Sequence, residues 1–534
     1  AILSTVAGII GMIPEGLVLL TSIALTAGVV KMAKKNVVIE RLHGIEILSC
    51  VDVLCLDKTG TITDGTMEVV DLIKLTEKED IENIIANINT EEANNSTDKA
   101  LKKKYGVKDS LKVEERIPFS SAKKCSTTII NGTKYYLGAL EYITEQSIGD
   151  YEVLDKYVKK GYRIITLAKE KNTLEILAFV IIKDNIRPTA GDTLRYFKEQ
   201  SVEIKIISGD NPSTVSNILK QLDFEGYDRY IEGKDLPNDY NELQKVVKDK
   251  TIFGRMTPIQ KQMVIKALKE ENTVGMIGDG VNDILALKEA DCGIALGSGV
   301  SAARSVSDVV LKTDDFAVLP SIVNEGRRVV NNIERVASMY LIKTTYSFLL
   351  CLLSIGLSHE YPFYPIQLSL ISATCVGIPS FFLALEPNYN KVGKDFLMKV
   401  FKNAVPNGIT VVLNIFIIIM FCNIFNKSFE SYRLVVVTLT GFITLRLLYT
   451  ICKPLNLWRK ILLIFCSISF FELLILLPDL FLVSKFDIVS IIFIATLAFI
   501  DTYIIDFLSE LFEKIVIKIR EVKNGKKKKE SKLS

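Results

Sequence analysis

The chain has 534 residues, of which 49% are hydrophobic and 24% charged, with a mean hydropathy of +0.29 and a formal net charge of +3. It is too long for one compact domain, and positive hydropathy beside so much charge points to membrane segments joined to soluble domains. The small net charge gives no support to nucleic-acid binding, and nine scattered cysteines without a CxxC pair, beside two histidines, exclude a recognisable zinc site or disulfide framework.

Residues 1 to about 30 are almost uncharged and long enough to span a hydrocarbon core of ~30 Å. Pro14 and Glu15 interrupt them. Proline removes a backbone donor and disturbs the carbonyl one turn earlier, so carbonyls between Thr5 and Ile13 are expected to be freed beside an intramembrane carboxylate. Such a group suits a dehydrated cation, whereas a simple kink with Glu15 at the membrane edge is the plainer reading. The chain begins at Ala1 inside an apolar stretch, without an initiator Met, a charged leader or a cleavage site, and reads as a fragment of a longer protein. Lys31, Lys34, Lys35 and Arg41 then mark residues 31 to 50 as a stalk, on the side of the membrane that basic residues favour.

The apolar run from Val51 to Leu56 ends in Asp57-Lys58-Thr59-Gly60-Thr61-Ile62-Thr63 and predicts a buried strand that delivers Asp57 to its C-terminal edge. Open α/β sheets place their chemistry at that edge. Two later stretches have the same form: 202 to 207 leads into Ser208-Gly209-Asp210, and 273 to 277 leads into Gly278-Asp279-Gly280-Val281-Asn282-Asp283. Together they supply a nucleophilic aspartate, a phosphate-binding turn and a carboxylate pair for Mg²⁺. Alone, DKTGT reads more simply as a solvated strand-to-turn connection.

The ordered set DKTGTIT, SGD and GDGVND, with Pro14-Glu15-Gly16-Leu17 ahead of it, resembles the P-type cation-transporting ATPases, specifically a bacterial branch similar to the calcium and sodium pumps. The resemblance covers nearly the whole chain. It implies a multidomain membrane protein: an α-helical transmembrane bundle, a haloacid-dehalogenase-like α/β phosphorylation domain with a Rossmann-like parallel sheet, and an inserted α+β nucleotide-binding domain. The expected divisions are a fourth membrane helix at 1–30, stalk and first part of the phosphorylation domain at 31–66, the nucleotide-binding domain at 67–180, and the second part of the phosphorylation domain at 181–325. Membrane helices five to ten would follow at 326–511 and a basic tail at 512–534.

By the same resemblance Asp57 is the nucleophile toward ATP, with Lys58, Thr59, Lys261 and Asn282 supporting it. Mg²⁺ is expected between Asp57 and Asp279, assisted by Thr59 and Asp283. In the inserted domain Phe119 would stack on adenine and Lys124 approach the phosphates, with Gly138 and Arg163 also at the nucleotide. Leu137 stands where the family usually has a lysine. Asp184 and Arg187, in Asp184-Asn185-Ile186-Arg187-Pro188, would help dock the nucleotide at the hinge, while Ser208, Gly209 and Asp210 complete the cradle. A soluble phosphatase of the same fold is the competing class, and Thr59 argues against it, because such enzymes place an acid there to discharge the phosphoenzyme. An actuator domain and three further membrane helices of the same parent protein are expected upstream; without them a fragment would phosphorylate and fail to turn over.

Beyond residue 333 six apolar segments can be drawn, near 336–357, 366–386, 404–426, 432–452, 459–482 and 487–510. Basic residues fall in alternate connections, at Lys391 to Lys402, at Lys453 to Lys460 and in the tail at Lys526 to Lys529, which puts the soluble domains and C-terminus on the cytoplasmic side of a bacterial plasma membrane. The tail reads as a lipid-facing anchor. Glu15 is the expected ligand of the transported cation. The stretches from Tyr340 to Phe348 and from Ser372 to Pro379 carry no carboxylate where the resembling calcium pumps have several, so the expectation is one hard cation, Ca²⁺ first, with Mn²⁺, Mg²⁺ and Na⁺ as alternatives. Lys343 would either pair with an emptied Glu15 or reach the interface.

Overall fold

In the computed structural model the described residues are 8–9, 11–92, 95–119, 125–144, 148–158, 160–356, 360–393 and 395–530, with no side-chain description for 15, 148 and 519–530. They form two compact units, Lys31–Val323 and a second made of Ala1–Val30 with Asn324–Ser534.

The first unit contains an eight-stranded sheet in the order Val37–Ile39, Val309–Leu311, Cys292–Leu296, Val274–Gly278, Val53–Leu56, Glu203–Ile207, Ile252–Gly254, Tyr230–Glu232. Every neighbouring pair is parallel except the first. Val53–Leu56 is buried along its whole length, as a central parallel strand covered on both faces must be. Its register sets Leu56 beside Ile277 on one side and Ile206 on the other, so the three Asp-bearing turns leave the sheet at one edge. Helix Pro258–Lys269 covers one face, packing Val264, Ile265 and Leu268 with Val53, Cys55, Val274 and Met276. Residues 37 to 39, expected in the stalk, instead close the sheet as an antiparallel edge strand on Val309–Leu311.

Between strands Val53–Leu56 and Glu203–Ile207 the chain makes a six-stranded antiparallel sheet, ordered Thr63–Lys74, Leu174–Ile186, Arg163–Glu170, Thr133–Gly138, Cys125–Ile130, Val113–Ile117. Strand Leu174–Ile186 alternates as its pleat requires: Ala178, Val180 and Ile182 meet Ile81, Ile85 and Leu101 of two helices, while Phe179 and Ile181 meet Leu154 and Tyr157 on the other face. Leu137 joins the first of these clusters, so the position where the resemblance looks for a lysine is turned into a hydrophobic core.

The second unit is helical. Among the described residues six helices are long and apolar enough to cross a membrane, within Gly16–Ala33, Phe316–Gly356, Pro365–Leu385, Phe396–Ile424, Phe429–Ile451 and Ile488–Lys518. The chain is a multi-pass membrane protein. The segment read near 459–482 folds as helix Leu457–Leu476, with Arg459, Lys460 and Glu472 along it. Helix Glu15–Ala33 follows a break at Ile13 and Pro14, as proline dictates, while the expected free carbonyls of residues 5 to 7 and 10 lie outside the described residues. The span Pro365–Leu385 widens to a π turn over Ser372–Gly377. The last helix runs from Ile488 to Glu530, taking in most of the segment read as a tail. Gly408 and Gly441 permit close packing, since a Cβ on the first would lie 2.7 Å from Thr345 Cγ2, and one on the second would overlap the Phe470 ring.

Candidate active site

Asp57 follows its strand directly and accepts a hydrogen bond from the Thr59 backbone N–H at 3.1 Å. The turn behind it needs Gly60: its φ is +75°, and a Cβ there would stand 2.5 Å from Asp279 Oδ2. Lys261 reaches the same pocket from helix Pro258–Lys269. Pro258 occupies the first helical position, and Thr257 with Gln260 makes a reciprocal cap, so the sequence fixes where this helix starts and hence where its first turn points. Lys261 Nζ donates to Asp57 Oδ1 at 2.8 Å and to Asp283 Oδ1 at 2.6 Å. Asp283 accepts from the Gly280 N–H at 3.2 Å.

Three carboxylates thus crowd one cation. Burial pushes Asp57 up to about 7, with Lys261 opposing and Asp283 adding to the push. Burial and Asp283 likewise move Asp279 up to about 6. Burial disfavours a charged Lys261, yet Asp57 and Asp283 outweigh it and hold the ammonium above its ordinary range. Asp57, Asp279 and Asp283 can each offer one oxygen, all within 4.8 Å of one another. With the gap kept open by Gly60, this donor set fits a hard divalent cation.

A second charge group adjoins the first. Lys58, fully buried, donates to Asp184 Oδ2 at 2.8 Å and pairs with Asp210. Arg163 Nη2 donates to Asp210 Oδ2 at 2.7 Å. Burial alone would raise Asp210, but Lys58 and Arg163 together hold it below the usual carboxylate range. Arg187 donates to the backbone carbonyls of Gly60 at 2.8 Å and Thr61 at 3.1 Å. Asp184, Arg187 and Asp210, expected at a nucleotide, therefore brace the turn that carries Asp57. Ser208 is buried, with its Oγ accepting from the Asp210 N–H, and Gly209 has open space where a Cβ would be.

Asn282 is exposed on its turn. Phe119 is exposed at the end of its segment, and Gly138 ends strand Thr133–Gly138. Lys124 lies outside the described residues, as does the Glu15 side chain. Sequence reasoning missed the pairing of Lys58 with Asp184; the signal was there in a lysine directly after the nucleophile, too short of solvent to stay unpaired.

Residues 51–291 match the haloacid dehalogenase-like hydrolase family. A probable cation-transporting ATPase, exp7 of Streptococcus pneumoniae, is 36% identical over 490 residues, 87% of this chain and 62% of that protein. The calcium-transporting ATPase CtpE of Mycolicibacterium smegmatis is 34% identical over 505 residues, 90% of this chain and 63% of that protein. Over the matched residues the chain is similar to the P-type ATPases. It spans about three fifths of the length of these relatives. Among solved structures, a zinc-transporting PIB-type ATPase in the E2.Pi state shares the P-type fold, with a TM-score of 0.50 at 20% identity over 70% of this chain and 55% of that one.

Proposed function

We propose that the chain is the catalytic and membrane part of an ATP-driven pump that carries a hard inorganic cation, Ca²⁺ first, through an aspartyl phosphate on Asp57. The observation that carries this reading is Lys261 joined to both Asp57 and Asp283 at the edge where three parallel strands end. An Asp57 oxygen attacks the γ-phosphorus of ATP, a new P–O bond forms, and the bond to ADP breaks with its electron pair leaving on ADP. Lys261 balances charge on the transferring oxygens, and the first turn of its helix adds a positive dipole end. Mg²⁺ held by Asp57, Asp279, Asp283 and the Thr59 carbonyl would supply further neutralisation of the phosphoryl oxygens.

Ser208, Gly209 and Asn282 complete the phosphate cradle in this reading. Phe119, Lys124, Gly138 and Arg163 serve the nucleotide in an inserted domain near 67–180, and Arg163 must release Asp210 to do so. Thr59 is not an acid, so the acyl phosphate lacks the general base that soluble phosphatases place at that position and outlasts a domain movement. Glu15, at the proline break, is the proposed ligand of the transported cation. An actuator domain and three membrane helices of the parent protein are its proposed partners, and the soluble domains face the cytoplasm.

The test is acid-stable labelling of the full-length protein in membranes from γ-labelled ATP, scanned over Ca²⁺, Mn²⁺, Mg²⁺, Na⁺ and K⁺. Label that needs Asp57, is lost in Asp57→Asn and rises with one cation supports the reading and names the cation. ATP binding without Asp57-dependent label under any cation overturns it.

A further inference from the structure

We propose that Asp501, held by Asn414, is a hydron-binding site inside the membrane unit, separate from Glu15 and the proline break. Asp501 lies in the span Ile488–Lys518, about 20 Å along the helix from Ile488 at 1.5 Å per residue. It is fully buried, one turn from Leu497 and one turn from Ile505, which belong to the bundle core. Spacing of four keeps these three side chains on one helical stripe, so the carboxyl points where its neighbours are apolar.

Its polar surroundings are few. Asn414, 2% exposed on helix Phe396–Ile424, donates from Nδ2 to Asp501 Oδ2 at 2.8 Å. Asp501 Oδ1 is buried and has no hydrogen-bond partner among the described residues. From helix Arg433–Ile451 the charged group that faces it is Arg446, whose Nη2 is engaged by Asp506 Oδ1 at 2.7 Å and by the Thr502 carbonyl at 3.3 Å. Helix Phe396–Ile424 presents the neutral Asn414, and the carboxyl's own helix adds Asp506.

A single amide donor does not replace the hydration of an ionised carboxylate in such a place. The arrangement instead suits a carboxylic acid, in which Oδ2 is the carbonyl oxygen that accepts from Asn414 and Oδ1 carries the hydron. A metal cation is less suited, because Ca²⁺ and Mg²⁺ take several oxygens and no group of three metal-ligating side chains among the described residues includes Asp501. The site rests on these contacts and not on the transport reading.

Infrared spectra of the full-length protein in membranes test it at neutral pH, taken as wild type minus Asp501→Asn. Asparagine keeps the shape and the Asn414 contact, and an unchanged thermal transition shows that the variant folds. The expected difference is one carbonyl-stretch band of a protonated carboxyl, lost completely when the pH is made strongly alkaline and insensitive to Na⁺ or Ca²⁺ at fixed pH. Asn414→Leu should shift the frequency of that band. Carboxylate bands in its place, or loss of the band on adding Na⁺ or Ca²⁺ at constant pH, overturn the proposal.

Discussion

Asp57 shares a buried pocket with one ammonium and two further carboxylates, and that imbalance sets the behaviour of single substitutions. In the proposed mechanism, removing the ammonium with Lys261→Met takes away a donor aimed at the transferring oxygens, a loss of ~10²–10³-fold in rate by analogy with oxyanion donors elsewhere. Rapid-quench measurement of phosphoenzyme formation checks it, with nucleotide binding left near wild type. Burial pushes the Asp57 carboxyl up to about 7, and in the proposed mechanism the attacking form is the ionised one, so the initial labelling rate should rise from mildly acid to mildly alkaline pH. Bound Mg²⁺ favours the carboxylate and should move that rise to lower pH as its concentration increases. Gly60→Ala places a methyl group against Asp279 and forces an L residue to positive φ, a strain of about 1–3 kcal/mol. A magnesium titration of labelling should show a higher requirement in this variant.

Elements differ in how openly the sequence declares them. The strand ending at Leu56 is a continuous apolar run before a Gly-containing turn, and helix Pro258–Lys269 announces its start through Thr257, Pro258 and Gln260. Strand Val37–Ile39 has three residues and gains its identity only by pairing with a segment some 270 positions away, a long-range choice that local pattern does not encode. Asp501 was legible as a lone acid in an apolar run, but nothing local tells which helices surround it. The same holds for Glu386, at the end of one membrane helix, which accepts from Arg335 Nη1 at 2.9 Å, Arg459 Nε at 2.8 Å and Arg459 Nη2 at 2.9 Å. Glu386→Ala leaves the buried Arg459 and the half-buried Arg335 without their shared partner. The expected loss is ~3–5 kcal/mol, read from thermal unfolding in detergent. A near-wild-type transition would mean that these ends are held by packing alone.

At the level of the whole molecule, composition and three Asp-bearing turns were enough to anticipate a membrane bundle joined to a parallel sheet, because both rest on patterns repeated along the chain. The partners of Arg163, Asp184 and Asp210 were not legible, since each depends on how the antiparallel sheet meets the parallel one. The first unit begins at Lys31, whereas the match to the hydrolase family begins at residue 51. A piece starting at 51 lacks the edge strand and bares the backbone of Val309–Leu311, whose side chains are buried. Pieces covering 31–323 and 51–323 should therefore differ, the longer one melting cooperatively at higher temperature and the shorter one aggregating.

The chain leaves for the antiparallel sheet along Thr63–Lys74 and returns along Leu174–Ile186, and these two strands are hydrogen-bonded neighbours, with Thr63 directly opposite Ile186. Entry and exit are thus a single ribbon. The whole insert is a cassette on one stem, so a tight hairpin turn across the stem would delete it without moving either end of the parallel sheet. The parallel sheet would remain as a small scaffold carrying the Asp57 turn, onto which a different recognition module could be grafted.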